Sequence, residues 1–172
     1  MIRLEALTGH HDRNGFDCGE ALLNAWLQQI ALQHQNRGIA RTFVAVPADE
    51  LVAHAWVRSG YDVEADSILG FYALSAAFVL RDDLPAKKAK RFPRQIPVTR
   101  LGRLAIRTDM QGQGLGRLLL ADAVHRARAA AQAVGSAGLF VDAKNTGAAR
   151  FYQHYGFLPA SGQPLKLFFP LG

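Results

Sequence analysis

The chain has little of what would point to disulfide, metal or membrane chemistry. Of its 172 residues one is a cysteine, Cys18, so no internal disulfide can form and thiolate zinc sites are out of reach. The histidines are scattered; His10 and His11 are adjacent rather than at metal-ligand spacing, and a solvated loop is expected for them. The most apolar run, Leu69 to Leu80, is well short of the ~20 residues that span a bilayer. Met1-Ile2-Arg3-Leu4-Glu5 has no apolar region of the secretory kind, so the expected compartment is the cytoplasm. Acid is missing from one segment: between Leu84 and Thr108 stand Lys87, Lys88, Lys90, Arg91, Arg94, Arg100, Arg103 and Arg107 with no Asp or Glu among them. That segment carries the whole net charge of +6, since the remainder holds 12 basic residues against 14 acidic ones. Such focusing suits a polyanionic partner, nucleic acid before acidic small molecules or membranes.

What is present is organised around Asp109 to Leu120. This stretch follows the strand-like run Val98 to Ile106 and opens into a long amphipathic helix, so the glycines of Gln111-Gly112-Gln113-Gly114-Leu115-Gly116-Arg117 sit at a strand-to-helix junction. A helix start leaves four backbone N–H groups without intrahelical partners, and Ser, Thr, Asp or Asn usually satisfies one of them. From Met110 to Gly116 there is none. Three glycines let an external group approach the backbone, the helix dipole adds roughly half a positive charge, and Arg117 has the wrong sign for that dipole but the right sign for a bound anion.

Composition, 49% hydrophobic and 20% charged, fits one domain over residues 1–172. In chain order the pattern predicts a strand at Ile2 to Leu7 and a helix opened by an apparent capping box, Asp17 to Glu20. That helix should bury Leu22, Leu23, Trp26, Leu27, Ile30 and His34. Cys18 at its start has no catalytic partner and is expected to be a packed thiol. A strand is predicted at Arg41 to Val46 and a long central one at Leu69 to Leu80, with Tyr72 and Ser75 as packing residues. Leu51 to Ile68 reads poorly, Val52 to Val57 as a strand and Gly60-Tyr61-Asp62 as a turn. Pro85 to Phe92 reads as a short basic helix. The long helix after the glycines should bury Leu115, Leu119, Ala123, Ala127, Ala130 and Val134. Gly138 to Ala143 is a buried strand, Ala148 to Tyr155 a short helix stopped by Gly156, and Phe157 to Phe169 a closing hairpin. Strands separated by helices make an α/β or α+β fold.

Two motifs in this order resemble the GCN5-related N-acetyltransferase (GNAT) superfamily. Gln111 to Gly116 is similar to its acetyl-coenzyme A turn, and Asn145-Thr146-Gly147-Ala148 through Phe151-Tyr152 to Gly156-Phe157 is similar to its second signature. A dinucleotide site would instead need its turn after an early strand and an acid about 20 residues on. The whole chain further resembles the acetyltransferase toxins of bacterial toxin-antitoxin modules, through Phe16-Asp17-Cys18-Gly19, Arg37 to Val44, Leu69 to Ser75 and Pro97 to Ile106. The connection Leu51 to Ile68 is longer than that group leads one to expect.

The resemblance implies a central mixed, mostly antiparallel sheet flanked by helices, with a V-shaped opening for acetyl-CoA as co-substrate and no metal. It implies acetyl transfer to the free amine of an aminoacyl-tRNA, blocking translation, and a ribbon-helix-helix antitoxin as partner; a homodimer is suggested by the family. On this resemblance Gln111, Gly112, Gln113, Gly114, Leu115, Gly116 and Arg117 hold the pyrophosphate, and Leu104, Ala105 and Ile106 pair with the pantetheine arm. Asn145 contacts the cofactor and Tyr152 is the general acid. Lys87, Lys88, Lys90, Arg91, Arg94, Arg41 and Arg103 are candidates for RNA contact, although an internal ion pair accounts equally well for the last two. A GNAT enzyme for a small amine or protein amino group, and a non-catalytic binding module, are the other readings the residues leave open.

Overall fold

In the computed structural model, which describes residues 1–171, seven strands form one sheet in the order β1-β2-β3-β4-β5-β7-β6. They are β1 Ile2–Ala6, β2 Arg41–Pro47, β3 Gly70–Leu80, β4 Gln95–Ile106, β5 Gly138–Asp142, β6 Leu158–Ala160 and β7 Gln163–Pro170. The β1–β2, β2–β3, β5–β7 and β6–β7 ladders are antiparallel, whereas β4 and β5 run parallel. The helices are α1 Ala21–Gln29, α2 Ala31–Asn36, α3 Glu50–Arg58, α4 Ala86–Ala89, α5 Leu115–Val134 and α6 Thr146–His154. The mixed sheet and the element order agree with the expected fold. By contacts the chain divides into two compact units, residues 1–74 with 103–122, and residues 75–102 with those from 123 onward.

In the first unit β2 and β3 are apolar because α1 and α2 cover one of their faces. Phe71 is fully buried, stacked on Trp26 at 6.1 Å and edge-on to Phe16 at 5.4 Å. Leu27, Val44 and Ile68 join the same core. In the second unit Val79, Leu84, Ile96, Val98, Phe140 and Phe168 form a separate core, with Phe92 edge-on to Phe168. Residues Ala77 and Ala89 pack against it, which fixes the short basic helix α4 on this unit.

Several expectations need correction. Val52 to Val57 is helical, not extended: Asp49 caps α3 by accepting from the Val52 N–H at 2.9 Å, while Glu50 and Arg58 suit the two ends of the helix dipole. The capping box before α1 does not form. Asp17 turns back on its own loop, accepting from the Gly19 N–H at 2.8 Å and from Asn24 Nδ2 at 2.9 Å, so the helix starts at Ala21 and breaks at Ile30, whose φ is −120°. Leu22 is 88% exposed. Along α5 the residues Leu115, Leu119, Ala123 and Ala127 are buried as expected, but Ala130 and Val134 are exposed. His11 is packed rather than solvated, its Nδ1 accepting from the Thr8 N–H at 3.0 Å and its side chain 8% exposed.

Removing a large buried ring leaves a cavity as well as lost transfer energy, about 3–5 kcal/mol. Phe71→Ala is therefore expected to destabilise the protein by about that amount in urea unfolding. Leu22→Ala, on the exposed side of α1, should change the unfolding free energy by less than about 0.5 kcal/mol.

Candidate active site

β4 ends at Ile106 and a single tight turn, Thr108–Met110, leads into the glycines. Gly112 and Gly114 lie at φ +78° and +86°, a region that costs an L-residue roughly 1–2 kcal/mol. A Cβ built on either would meet nothing within 4 Å. The glycines are thus demanded by backbone geometry, and the space beside them is open. The Leu118 N–H donates to the Gly114 carbonyl at 3.3 Å, which makes Gly114 the cap position of α5. The N–H groups of Gly114, Leu115, Gly116 and Arg117 precede the helical ladder and sit at the positive end of the helix dipole.

Side chains brace this turn from behind. Gln111 Nε2 donates to the Ile106 carbonyl at 3.0 Å and to the Cys18 carbonyl at 3.2 Å, tying the turn to the end of β4 and to the loop before α1. Both its amide hydrogens are used there, so toward an anion Gln111 can donate only from its backbone. Gln113 Nε2 donates to Tyr61 Oη at 3.0 Å and to the Asp109 carbonyl at 3.4 Å. Arg107 forks onto Asp109, Nε to Oδ1 at 2.9 Å and Nη2 to Oδ2, and this guanidinium holds the Asp109 carboxyl below the usual carboxylate range. Ala105 is buried in the first core while Leu104 and Ile106 are half-buried. The parallel pairing of β4 with β5 is recorded at Thr99↔Leu139 and Arg100↔Phe140, and Leu104, Ala105 and Ile106 continue β4 past it.

In the second unit Asn145 caps α6, its Oδ1 accepting from the Ala148 N–H at 2.9 Å. Tyr152, one turn and a half into α6, is 8% exposed and packed among Phe151 at 5.2 Å and Phe157 at 5.4 Å. Burial pushes its phenol up to about 12. Among the described residues no group hydrogen-bonds its hydroxyl.

The basic residues separate into two kinds. Arg100 is ion-paired to Asp142 at 2.5 Å, Arg107 to Asp109, and Arg103 lies over the Trp26 ring at 4.1 Å. Arg41 is exposed, 6.0 Å from the centroid of Phe43. Lys87, Lys90, Arg91 and Arg94 are exposed and Lys88 half-buried, and among the described residues none of these five meets an acidic side chain. The structure gathers Leu104 to Ile106, Gln111 to Arg117, Arg41 and Arg103 in one unit, and Asn145, Tyr152 and Lys87 to Arg94 in the other.

Cys18 is buried and its thiol is pushed up by desolvation, as a packed thiol should be. Among the described residues no three His, Cys, Asp or Glu gather into a metal-binding group, and no helix is long and apolar enough to cross a membrane. Tyr61 and the Cys18 carbonyl were invisible to sequence reasoning as parts of the turn, because both are brought there by contacts distant in sequence.

An uncapped glycine turn at the head of α5 and a mixed sheet in this strand order are what the resemblance to acyl-CoA-dependent transferases implies. The model of the acetyltransferase (GNAT) family matches residues 14–157, and the chain belongs to that family. It is 33% identical over 156 residues, 91% of this chain and 84% of the relative, to a tRNA-acetylating toxin of Mycobacterium tuberculosis. Its fold superimposes with a TM-score of 0.83 on AtaT complexed with acetyl-methionyl-tRNAfMet, 34% identical and covering 99% of this chain and 95% of that one. It also matches a tyrosine-to-phenylalanine mutant of the AtaT toxin bound to the C-terminus of the antitoxin AtaR and acetyl-CoA, with a TM-score of 0.76, 31% identity and coverage of 99% and 93%.

Gly114→Ala should cost about 1–2 kcal/mol of stability from strain alone and abolish the rise in melting temperature that acetyl-CoA gives the wild type. A phenol raised in the folded state stabilises the fold below its unfolded value of ~10 and loses that contribution as pH climbs toward 12. Wild type should therefore lose on the order of 2 kcal/mol more than Tyr152→Phe between pH 10 and 12, measured by urea unfolding at each pH.

Proposed function

We propose that the chain is a single GNAT domain that transfers acetyl from acetyl-CoA to the free amino group of an aminoacyl-tRNA, acting in the cytoplasm as the toxin of a toxin-antitoxin pair. The observation that carries this is similarity across nine-tenths of the chain to a tRNA-acetylating toxin, supported by five basic side chains on one short segment that meet no acidic side chain among the described residues. The antitoxin it implies is a ribbon-helix-helix protein, and a homodimer accords with the family.

The residues present fit acetyl-CoA. Four unladdered N–H groups, two glycines held at positive φ and open space beside them suit a pyrophosphate, and exposed Arg117 adds a cation. Gly112, Gln113, Gly114, Leu115 and Gly116 hold it through the backbone. Leu104, Ala105 and Ile106 offer strand backbone to the pantetheine arm, and Asn145, with Oδ1 engaged in its cap, offers Nδ2.

Bound acetyl-CoA supplies an acetyl thioester that an amine can attack without a covalent enzyme intermediate. The protein's share is to hold the two substrates in register, to present N–H donors where charge develops on oxygen, and to meet the departing sulfur with a proton. Tyr152, protonated at every physiological pH, is a donor and never a base. Full proton transfer from a phenol at about 12 to a thiolate of ordinary pKa ~8.5 is uphill by about 5 kcal/mol. The phenol therefore works chiefly by hydrogen-bonding sulfur as its charge grows and stays protonated itself, while the proton that the amine sheds on acylation, relayed through solvent, converts the departing thiolate to the thiol. Lys87, Lys88, Lys90, Arg91 and Arg94, with Arg41 and Arg103, contact phosphates of the tRNA.

Incubation with labelled acetyl-CoA and charged tRNA should put label on the aminoacyl end; label found only on polyamines or proteins would overturn the reading. Tyr152→Phe should lower kcat by about 10²- to 10⁴-fold while leaving acetyl-CoA affinity and melting temperature near wild type. Replacing Lys87, Lys88 and Arg91 together by Ala should weaken tRNA binding and reduce the slope of log affinity against log salt by about 2–3.

A further inference from the structure

The longer connection after β2 ends against the cofactor turn. Its helix α3 stops at Arg58, the Tyr61 N–H donates back to the Trp56 carbonyl at 3.0 Å, and the Tyr61 ring lies against Trp56 at 6.3 Å. This fixes the phenol so that its oxygen accepts from Gln113 Nε2 at 3.0 Å. One residue on, the Asp62 carbonyl accepts from Arg107 Nη1 at 3.2 Å, on the guanidinium that grips Asp109. Further along, the Asp12 N–H donates to the Asp66 carbonyl at 2.9 Å and anchors the far end of the connection. Between the anchors the segment is not solidly packed, for a cavity of about 230 Å³ lies there, lined by Asp12, Asp62, Glu64, Ser67 and Arg107 among others.

Gln113 stands between Gly112 and Gly114, the two positions whose backbone is held at positive φ. Its side chain is the handle by which that backbone can be steadied, and the far end of the handle is Tyr61 and the Asp109 carbonyl. We infer that Tyr61 is a positioning residue for acetyl-CoA: through Gln113 it holds the Gly112-Gln113-Gly114 backbone in the conformation that receives the pyrophosphate, and the connection from Glu50 to Ile68 exists in part to deliver it. This rests on the reading of the turn as the acetyl-CoA site. Tyr61 touches the turn and not the reacting atoms, so its effect falls on cofactor affinity rather than on chemistry.

The test compares Tyr61→Phe, Gln113→Ala and the double variant, measuring acetyl-CoA affinity by calorimetry together with kcat and KM at saturating charged tRNA. Tyr61→Phe keeps the ring and its packing on Trp56, so an unchanged melting temperature without ligand confirms the fold. The expected result is a rise of about three- to tenfold in Kd and KM for acetyl-CoA, as for one lost hydrogen bond, with no matching fall in kcat. Gln113→Ala should weaken binding at least as much, and the double variant no more than Gln113→Ala alone, since both act through one contact. Additive losses, or a Tyr61→Phe affinity equal to wild type while Gln113→Ala and Gly114→Ala bind weakly, would overturn the inference and leave the cofactor site standing. If Gly114→Ala also binds acetyl-CoA as well as wild type, the cofactor site itself is misplaced.

Discussion

The constraint on which the site depends is a helix that starts without a cap. An ordinary N-cap side chain contributes about 1 kcal/mol, and α5 forgoes it. The helix survives because Leu115, Leu119, Ala123 and Ala127 bury one side of it, so packing rather than capping sets its stability. What is given up locally reappears as binding capacity: donors left unladdered at a positive dipole end are the chemical complement of a phosphate group. The glycines serve the same end from the other side, since a capping side chain or a Cβ beside these N–H groups would occupy the space a ligand needs.

Around that opening the protein spends its polar side chains on rigidity. Gln111 bridges β4 and the loop carrying Cys18; Gln113 bridges Tyr61 and Asp109; Arg107 bridges Asp109 and the Asp62 carbonyl. Two chain segments distant in sequence, the loop carrying Cys18 and the Tyr61-Asp62 stretch, thus converge on one turn. A turn of glycines is otherwise the most flexible kind of backbone, and ordering it at the moment of binding would cost roughly 1–2 kcal/mol per residue. Side-chain braces supply that order in advance.

The same sorting clarifies the charge. The eight basic residues from Lys87 to Arg107 form one block in the sequence, but the fold employs Arg100 and Arg107 in ion pairs and lays Arg103 on Trp26, leaving Lys87 to Arg94 with no acidic partner among the described residues. Spacing cannot reveal this, because Asp142 is distant from Arg100 in the chain and Trp26 from Arg103. Periodicity read the strands and α5 well wherever one face is buried, and the glycine turn declared itself through a missing cap. It failed where the deciding contact is local and polar. Asp17 closes a turn with Gly19 instead of capping α1, and Asp49 starts a helix in a stretch whose Val and Trp content reads as strand. Of the site, the backbone donors were legible, whereas Tyr61 was not, since only the folded chain carries it to Gln113.

Tyr152 shows the opposite use of polarity. Its hydroxyl makes no hydrogen bond among the described residues, and the aromatic surroundings of Phe151 and Phe157 would accept phenylalanine with no lost hydrogen bond. Stability therefore gives no reason for the oxygen. Burial also raises its pKa, which weakens it as an acid but keeps a proton on it, and among the described residues no neighbour engages that hydroxyl. A donor kept neutral and unengaged can turn its full hydrogen-bonding capacity to an anion when one forms, and a departing thiolate is such an anion. That is the property which the role proposed for Tyr152 in acetyl transfer requires.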